Sequence, residues 1–331
     1  MKGINAMSLK RLAELTGLSI ASVSKAFSGS REISEPTRER VYAVARAEGC
    51  FDKYYKGKRK RPLIALIFPE SEGGYYSREI GLLEREIYRR GADTVIALSR
   101  FDPERVSSFF RELVYNTGVD AVIIRDTAAK KIRNVDRIPL TTVGNRSQSV
   151  EYSSRFFADF DKAMCDLVRL LKDYGHREIG FIGEKLTQGK LRNFKSALRY
   201  QGLPINERCV AVSQRRFAAA GEEGMKKILA TGCRPTAIVT AYDDIAYGAM
   251  RYAEANGLSI PDDISFVGID DLTINDYSGY RLTSLHVCFE DYVSEIVDSV
   301  MRRIEDRSGE IVGPIEMPIK LIIRDTLKKI E

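Results

Sequence analysis

The chain has 331 residues, enough for two or three domains, and its apolar fraction of 44% is ordinary for a globular protein. No uncharged apolar run approaches the roughly 18 residues of a membrane span, and MKGINAMSLKRLAELTG lacks the apolar core of a secretion signal, so a cytoplasmic protein is expected. Five cysteines without a C-x-x-C pair are expected to be reduced thiols. Residues 1–61 hold 14 Lys/Arg against 6 Asp/Glu, which leaves 38 and 40 for the rest. A basic head on a near-neutral body is the footprint of a nucleic-acid-binding domain joined to something else.

The head explains itself first. Ser8 can cap a short helix whose apolar side is Leu9, Leu12, Ala13 and Leu15. Thr16-Gly17-Leu18 breaks it, with glycine supplying the positive φ of a tight turn. Ser19 then caps a second helix, Ile20 to Phe27, buried through Val23, Ala26 and Phe27. Two short helices on a glycine turn form either an ordinary helical hairpin or a helix-turn-helix, and the coincident positive charge favours the second. Ser34, with Pro36 in the first turn, opens a third helix packed through Val41, Val44 and Ala45 and ended by Gly49. Residues 1–49 are therefore a three-helix DNA-binding head. Residues 50–62, CFDKYYKGKRKRP, read as a solvated basic linker, because Gly57 weakens any helix there by about 1 kcal/mol.

Beyond Pro62 strands and helices alternate. PLIALIF is a strand covered on both faces, then come a helix from Tyr76 to Arg90, TVIALS, a helix opened by Asp102-Pro103, AVIIR and LTTV. After a polar crossing at residues 147–154 the pattern restarts with a helix from Asp161 to Asp173. IGFIG, CVAVS, AIVT and ISFVGID follow, separated by helices near 190–200, 218–230 and 242–256. The expected fold is thus a helical head followed by two α/β lobes, each a parallel sheet flanked by helices, with a ligand cleft beyond the strands' carboxyl ends. The lobes are expected at 63–160 plus about 287–312, and at 161–286 plus about 313–331.

SLKRLAELTGLSIASVSKAFSGSREISEPTRERVYAVA resembles the DNA-binding head of the lactose-repressor (LacI/GalR) family, with Ala13, Gly17, Ser19, Val23, Ser24, Ser34, Thr37, Arg38 and Val41 on the family pattern. The resemblance implies that Ile20, Ala21 and Lys25 meet base edges, while Ser19, Ser22, Ser24 and Thr37 meet phosphates and Ser34 belongs to the same surface. The family's hinge, with its Pro-Asn cap and minor-groove leucine, is missing. Lys58, Arg59 and their basic neighbours stand there instead, suited to the DNA backbone, although Phe51, Tyr54 or Tyr55 could attempt a wedge.

The body resembles the same family over nearly its whole length. Gly175-His176, Pro235-Thr236-Ala237-Ile238, PDDISFVGIDD at 261–271, Arg281-Leu282-Thr283-Ser284 and Leu321-Ile322-Ile323-Arg324 occur in family order and spacing. The family's body is related to periplasmic binding proteins, so a small effector between the lobes is implied. Its contacts map onto Tyr75, Tyr76, Arg125, Asp159, Lys190, Asp243 and Asp270, a set of carboxylates, cations and aromatic faces suited to a sugar or sugar derivative. Lys190 in place of arginine and Asp243 in place of asparagine leave the charge of that effector open, an amino group included.

His176 is expected to satisfy carbonyls at a helix end, and with only two histidines and no phosphate loop neither metal, cofactor nor catalysis is expected. The resemblance implies an effector-controlled repressor acting as a homodimer, or as a tetramer, on palindromic duplex DNA, without a membrane role. The alternative is a carbohydrate-binding protein with no regulatory task.

Overall fold

The computed structural model describes residues 8–28, 30, 32–55, 61–125, 132, 138–145, 150, 152–276, 279–306 and 309–330. The head holds α1 (Leu9–Thr16), α2 (Ile20–Phe27) and α3 (Glu35–Ala47). The Ser8 hydroxyl accepts the Arg11 amide at 3.3 Å, and Gly17 ends α1 at φ +64°, where a side chain would be strained. Ser19 caps α2 through the Ser22 amide at 3.0 Å. Ser34 caps no amide; its hydroxyl meets that of Thr37 at 2.9 Å. Leu12, Val23, Ala26, Phe27, Val41 and Ala45 are buried where the helices meet. Leu15 is 40% exposed, because Thr16, one residue and about 100° further round α1, takes the inward position.

The first half of the expected linker is corrected. Phe51–Tyr55 forms a short helix, α4, with Phe51 only 4% exposed. Phe51 stacks on Tyr55 at 4.7 Å and stands edge-on to Tyr42 at 5.1 Å, while Tyr54 lies 5.5 Å from Phe27. Positions 51, 54 and 55 share one face of a helical turn, so the aromatics extend the head's core instead of offering a wedge. Lys58 and Arg59 lie outside the described residues. Arg61 belongs to the body: its Nη2 donates to the carbonyls of Tyr88 and Ala92 at 2.8 and 2.9 Å.

The first lobe is built from β1 (Leu63–Phe68), α5 (Gly74–Arg89), β2 (Asp93–Leu98), α6 (Pro103–Arg111), β3 (Ala121–Ile124), β4 (Leu140–Asn145) and β5 (Ser154–Ala158). The chain then enters the second lobe through α7 (Phe160–Asp173), β6 (Ile179–Glu184), α8 (Gln188–Tyr200), β7 (Val210–Ser213), α9 (Phe217–Ala230), β8 (Ala237–Thr240), α10 (Asp243–Ala255), β9 (Ser265–Ile269) and β10 (Thr283–Val287). It returns with α11 (Val293–Glu305) and β11 (Ile315–Glu316) to the first lobe and ends with β12 (Ile319–Ile322) in the second.

The strand orders are β11-β5-β4-β3-β1-β2 and β12-β10-β9-β8-β6-β7, parallel throughout except for antiparallel β10–β12. Because β11 pairs with β5, the last crossing falls after Glu316, a little later than the expected boundary at 313. Gly221 and Gly248 let α9 and α10 touch. A Cβ on Gly248 would lie 1.9 Å from the Ala218 carbonyl oxygen.

Two expectations are corrected in the second lobe. Cys209 and Cys233 are joined as a disulfide, Cα to Cα 5.8 Å, because the turn before β7 and the loop after α9 converge at one end of the sheet. Cys50, Cys165 and Cys288 are free. His176 is fully buried, and rather than closing its own helix it reaches Thr236 Oγ1 at 2.9 Å and the Lys328 carbonyl at 3.0 Å. Burial lowers its pKa. Among the described residues no helix is long and apolar enough to cross a membrane.

Candidate functional site

Two surfaces hold the side chains singled out by the sequence. On the head, the capped start of α2 projects Ile20, 48% exposed, together with exposed Ala21, Ser24 and Lys25. This is the face a recognition helix would turn to a groove. The Lys25 ammonium is held by the carboxylate of Glu32, a partner that sequence spacing did not suggest. Ser19 and Ser22 share a hydroxyl contact at 2.9 Å at the helix start, as Ser34 and Thr37 do at the start of α3.

The second surface is a cleft of about 590 Å³ between the lobes, at the carboxyl ends of both sheets. Its first-lobe wall is ordered from behind. Arg125, at the end of β3, donates through Nε to Glu79 Oε2 at 2.8 Å and through Nη2 to the Tyr75 hydroxyl at 2.7 Å. Burial lowers the pKa of Arg125, but the carboxylate of Glu79, 2% exposed, more than offsets it and holds the pKa above the ordinary guanidinium range. Tyr75 and Tyr76 present rings 5.4 Å apart, and burial raises both phenol pKa values, so they remain neutral donors.

On the second-lobe wall, Lys190 on α8 donates to the Ala241 carbonyl at 2.7 Å and stands 3.6 Å from Asp270 Oδ1. Its ammonium lies 5.6 Å from the centre of the Phe160 ring. Asp270, just past β9 at φ +110°, is 7% exposed. Burial pushes its pKa up to about 6, against the pull of Lys190 and with the help of Asp244. Asp159, at the first crossing, uses Oδ1 to cap α7, accepting the amides of Asp161 and Lys162 at 3.1 Å each.

Asp243 is the exception among the sequence-derived residues. It is fully buried behind the wall, where Oδ1 accepts from Ser284 Oγ at 2.6 Å and Oδ2 from the Leu272 amide at 2.8 Å and Asn275 Nδ2 at 3.2 Å. Burial, then the charge of Asp270, raise its pKa to about 7. The side chain that faces the cleft at this turn is Asp244, one residue and about 100° further along α10. Asp243 instead ties α10 to the segment after Asp270.

The cleft also contains a group the sequence reading missed. Glu70, after β1, accepts a bidentate pair from Arg216 of the other lobe, Nη1 to Oε2 at 2.5 Å and Nη2 to Oε1 at 2.8 Å. Arg216 Nε also reaches Glu184 Oε1 at 3.4 Å. Its guanidinium lies between Phe101 of the first lobe and Phe217 of the second, 5.6 and 4.6 Å from the ring centres. At another crossing between the lobes, Arg78 Nη1 donates to the Asp271 carbonyl at 3.3 Å. One half of the cleft is therefore closed by the protein's own charges. Glu70 and Arg216 are 146 positions apart, so no local pattern could reveal the pair.

Residues 168–327 match a periplasmic binding protein-like domain. Over 334 residues the chain is 25% identical to the HTH-type transcriptional regulator AscG of Escherichia coli (strain K12), covering 96% of this chain and 97% of the relative. Among solved structures, a LacI-family transcriptional regulator from Silicibacter pomeroyi superposes with a TM-score of 0.72 at 20% identity, covering 97% of this chain and 99% of that one. A LacI-family regulator from Lactobacillus casei with bound sucrose superposes at 0.69 and 20% identity, over 80% of this chain and all of the other.

Proposed function

We propose that this chain, which belongs to the lactose-repressor (LacI/GalR) family of transcriptional regulators, acts as a homodimeric repressor on a palindromic operator. It is a sequence-specific DNA-binding regulator whose operator affinity is controlled by a small polar effector, a sugar or sugar derivative. One observation carries this reading: a basic helix-turn-helix with an exposed second helix shares one chain with a two-lobed body that encloses a ligand-sized cleft. In our reading Ile20, Ala21 and Lys25 address bases; Ser19, Ser22, Ser24, Ser34 and Thr37 address phosphates; Lys58 and Arg59 follow the backbone. Tyr75, Tyr76, Arg125, Asp159, Lys190 and Asp270 hold the effector. Pairing follows from geometry, since one recognition helix spans only a few base pairs and a two-fold pair reads half-sites about one helical turn apart. The relatives are regulators, and catalysis forms no part of the proposal.

Operator selection from random duplexes followed by gel shift at two salt concentrations tests the reading. A steep loss of affinity with salt and a two-fold symmetric site are expected; salt-independent or absent duplex binding would overturn it. Lys25→Ala should weaken operator binding by roughly 1–3 kcal/mol and relax preference at one position per half-site. An equal loss on random DNA would make Lys25 a phosphate contact.

A further inference from the structure

The open half of the cleft carries more carboxylate than its own cations can match. Arg125 is committed to Glu79 and Tyr75, Arg216 to Glu70 and Glu184, and Lys190 to the Ala241 carbonyl and one oxygen of Asp270. Arg192 is exposed at the mouth. Two carboxylates are left to share the single charge of Lys190. Asp270, more than nine-tenths buried and lining the cavity, has Lys190 at 3.6 Å as its one ion partner among the described residues. Asp244, half-buried on the same wall, is in no ion pair of the described residues, and its carboxylate meets only its own amide. Burial raises the pKa of both, and the charge of Asp244 raises that of Asp270 further, so this wall carries more negative charge than Lys190 offsets.

An anionic ligand would add to that excess, and a neutral polyol would leave it uncompensated. A ligand bringing one positive charge relieves it and forms charge-assisted hydrogen bonds away from bulk water. The rest of the wall asks for hydroxyls and a flat apolar face, through Lys190, Arg125 and the rings of Tyr75, Tyr76 and Phe160. We infer that the effector is a polyhydroxylated molecule carrying a protonated amine, of the amino-sugar class, with its ammonium seated between Asp244 and Asp270. This rests on the effector reading given above and narrows it.

The test is calorimetric titration of the full chain at neutral pH with matched probes. These are glucosamine, galactosamine and mannosamine, their hydroxyl counterparts, their N-acetyl forms, and glucose 6-phosphate. At least one amine should bind roughly tenfold or more tighter than its hydroxyl counterpart, and N-acetylation, which removes the charge, should abolish the gain. In Asp244→Asn and Asp270→Asn the preference for the amine should fall to near unity, with a circular dichroism melt reporting that each variant is folded. Neutral sugars binding as tightly as their amines, tighter binding of glucose 6-phosphate, or no probe binding at all would each overturn the inference. Duplex binding in the gel shift, read on the same preparation, shows whether the regulator reading survives that failure.

Discussion

The two halves of the cleft solve the same electrostatic problem in opposite ways. Around Arg216 the protein supplies both signs: Glu70 from one lobe and Glu184 from the other share one guanidinium clamped between Phe101 and Phe217. Around Asp270 it supplies mostly one sign, with Lys190 shared between a carbonyl and a carboxylate and Asp244 unmatched. The first half holds the lobes together without help. The second costs stability when empty, and a ligand can recover that cost. A binding protein whose lobes must respond to a small molecule needs such an asymmetry, because a cleft satisfied everywhere by its own side chains has nothing to gain from a guest.

The contrast is broken most directly at Arg216. Arg216→Gln should destabilise by about 3 kcal/mol, since it strands Glu70, 9% exposed, and Glu184, 2% exposed, without a counter-charge. Small-angle scattering should show the lobes further apart; an unchanged melting temperature and radius would mean that the pair is ornamental. A smaller effect comes from pH. Asp270 and Asp243, raised to about 6 and about 7, add stability that is full below the ordinary carboxylate range and is lost as pH rises through those values. Asp271 behaves oppositely. Burial opposes its charge, but the close His286 ring and hydrogen bonds from Arg324 and Asn275 hold its pKa far below normal, so its contribution is lost only in strong acid. The ligand-free chain should therefore be more stable at pH 5 than at pH 8, by on the order of 2 kcal/mol of unfolding free energy, with Asp243→Asn flattening the difference. The smallest effect is also the sharpest in sign. Asp244→Asn should stabilise the empty protein by about 1 kcal/mol, whereas Glu70→Gln, in the satisfied half, should destabilise it. Two changes of the same sign would erase the distinction.

Much of this was written in local patterns. Ser8, Gly17 and Ser19 mark the caps and turn of the head, and the apolar runs mark the strands whose carboxyl ends carry Arg125 and Asp270. The helix at Phe51–Tyr55 was legible too, in aromatics at i, i+3 and i+4, but the basic run beside it drew the reading toward a solvated linker. What could not be read were relations between distant segments: Glu70 with Arg216, Cys209 with Cys233, and Lys25 with Glu32 across the turn before α3. The misplacement of Asp243 has a narrower cause. At a helix start a single residue turns the side chain by about 100°, and a motif match cannot say which of two adjacent aspartates faces the cleft.

In our proposal the charge around Asp270 that Lys190 does not offset is what the effector satisfies and what the head reports. Fluorescence anisotropy on a labelled operator, titrated with the tightest-binding probe for the parent and for Asp270→Ala, tests it in one experiment. The parent's operator affinity should change at least fivefold at saturation, the lower end of ordinary coupling, while Asp270→Ala should bind operator and ignore the probe. An equal response in both proteins would contradict it.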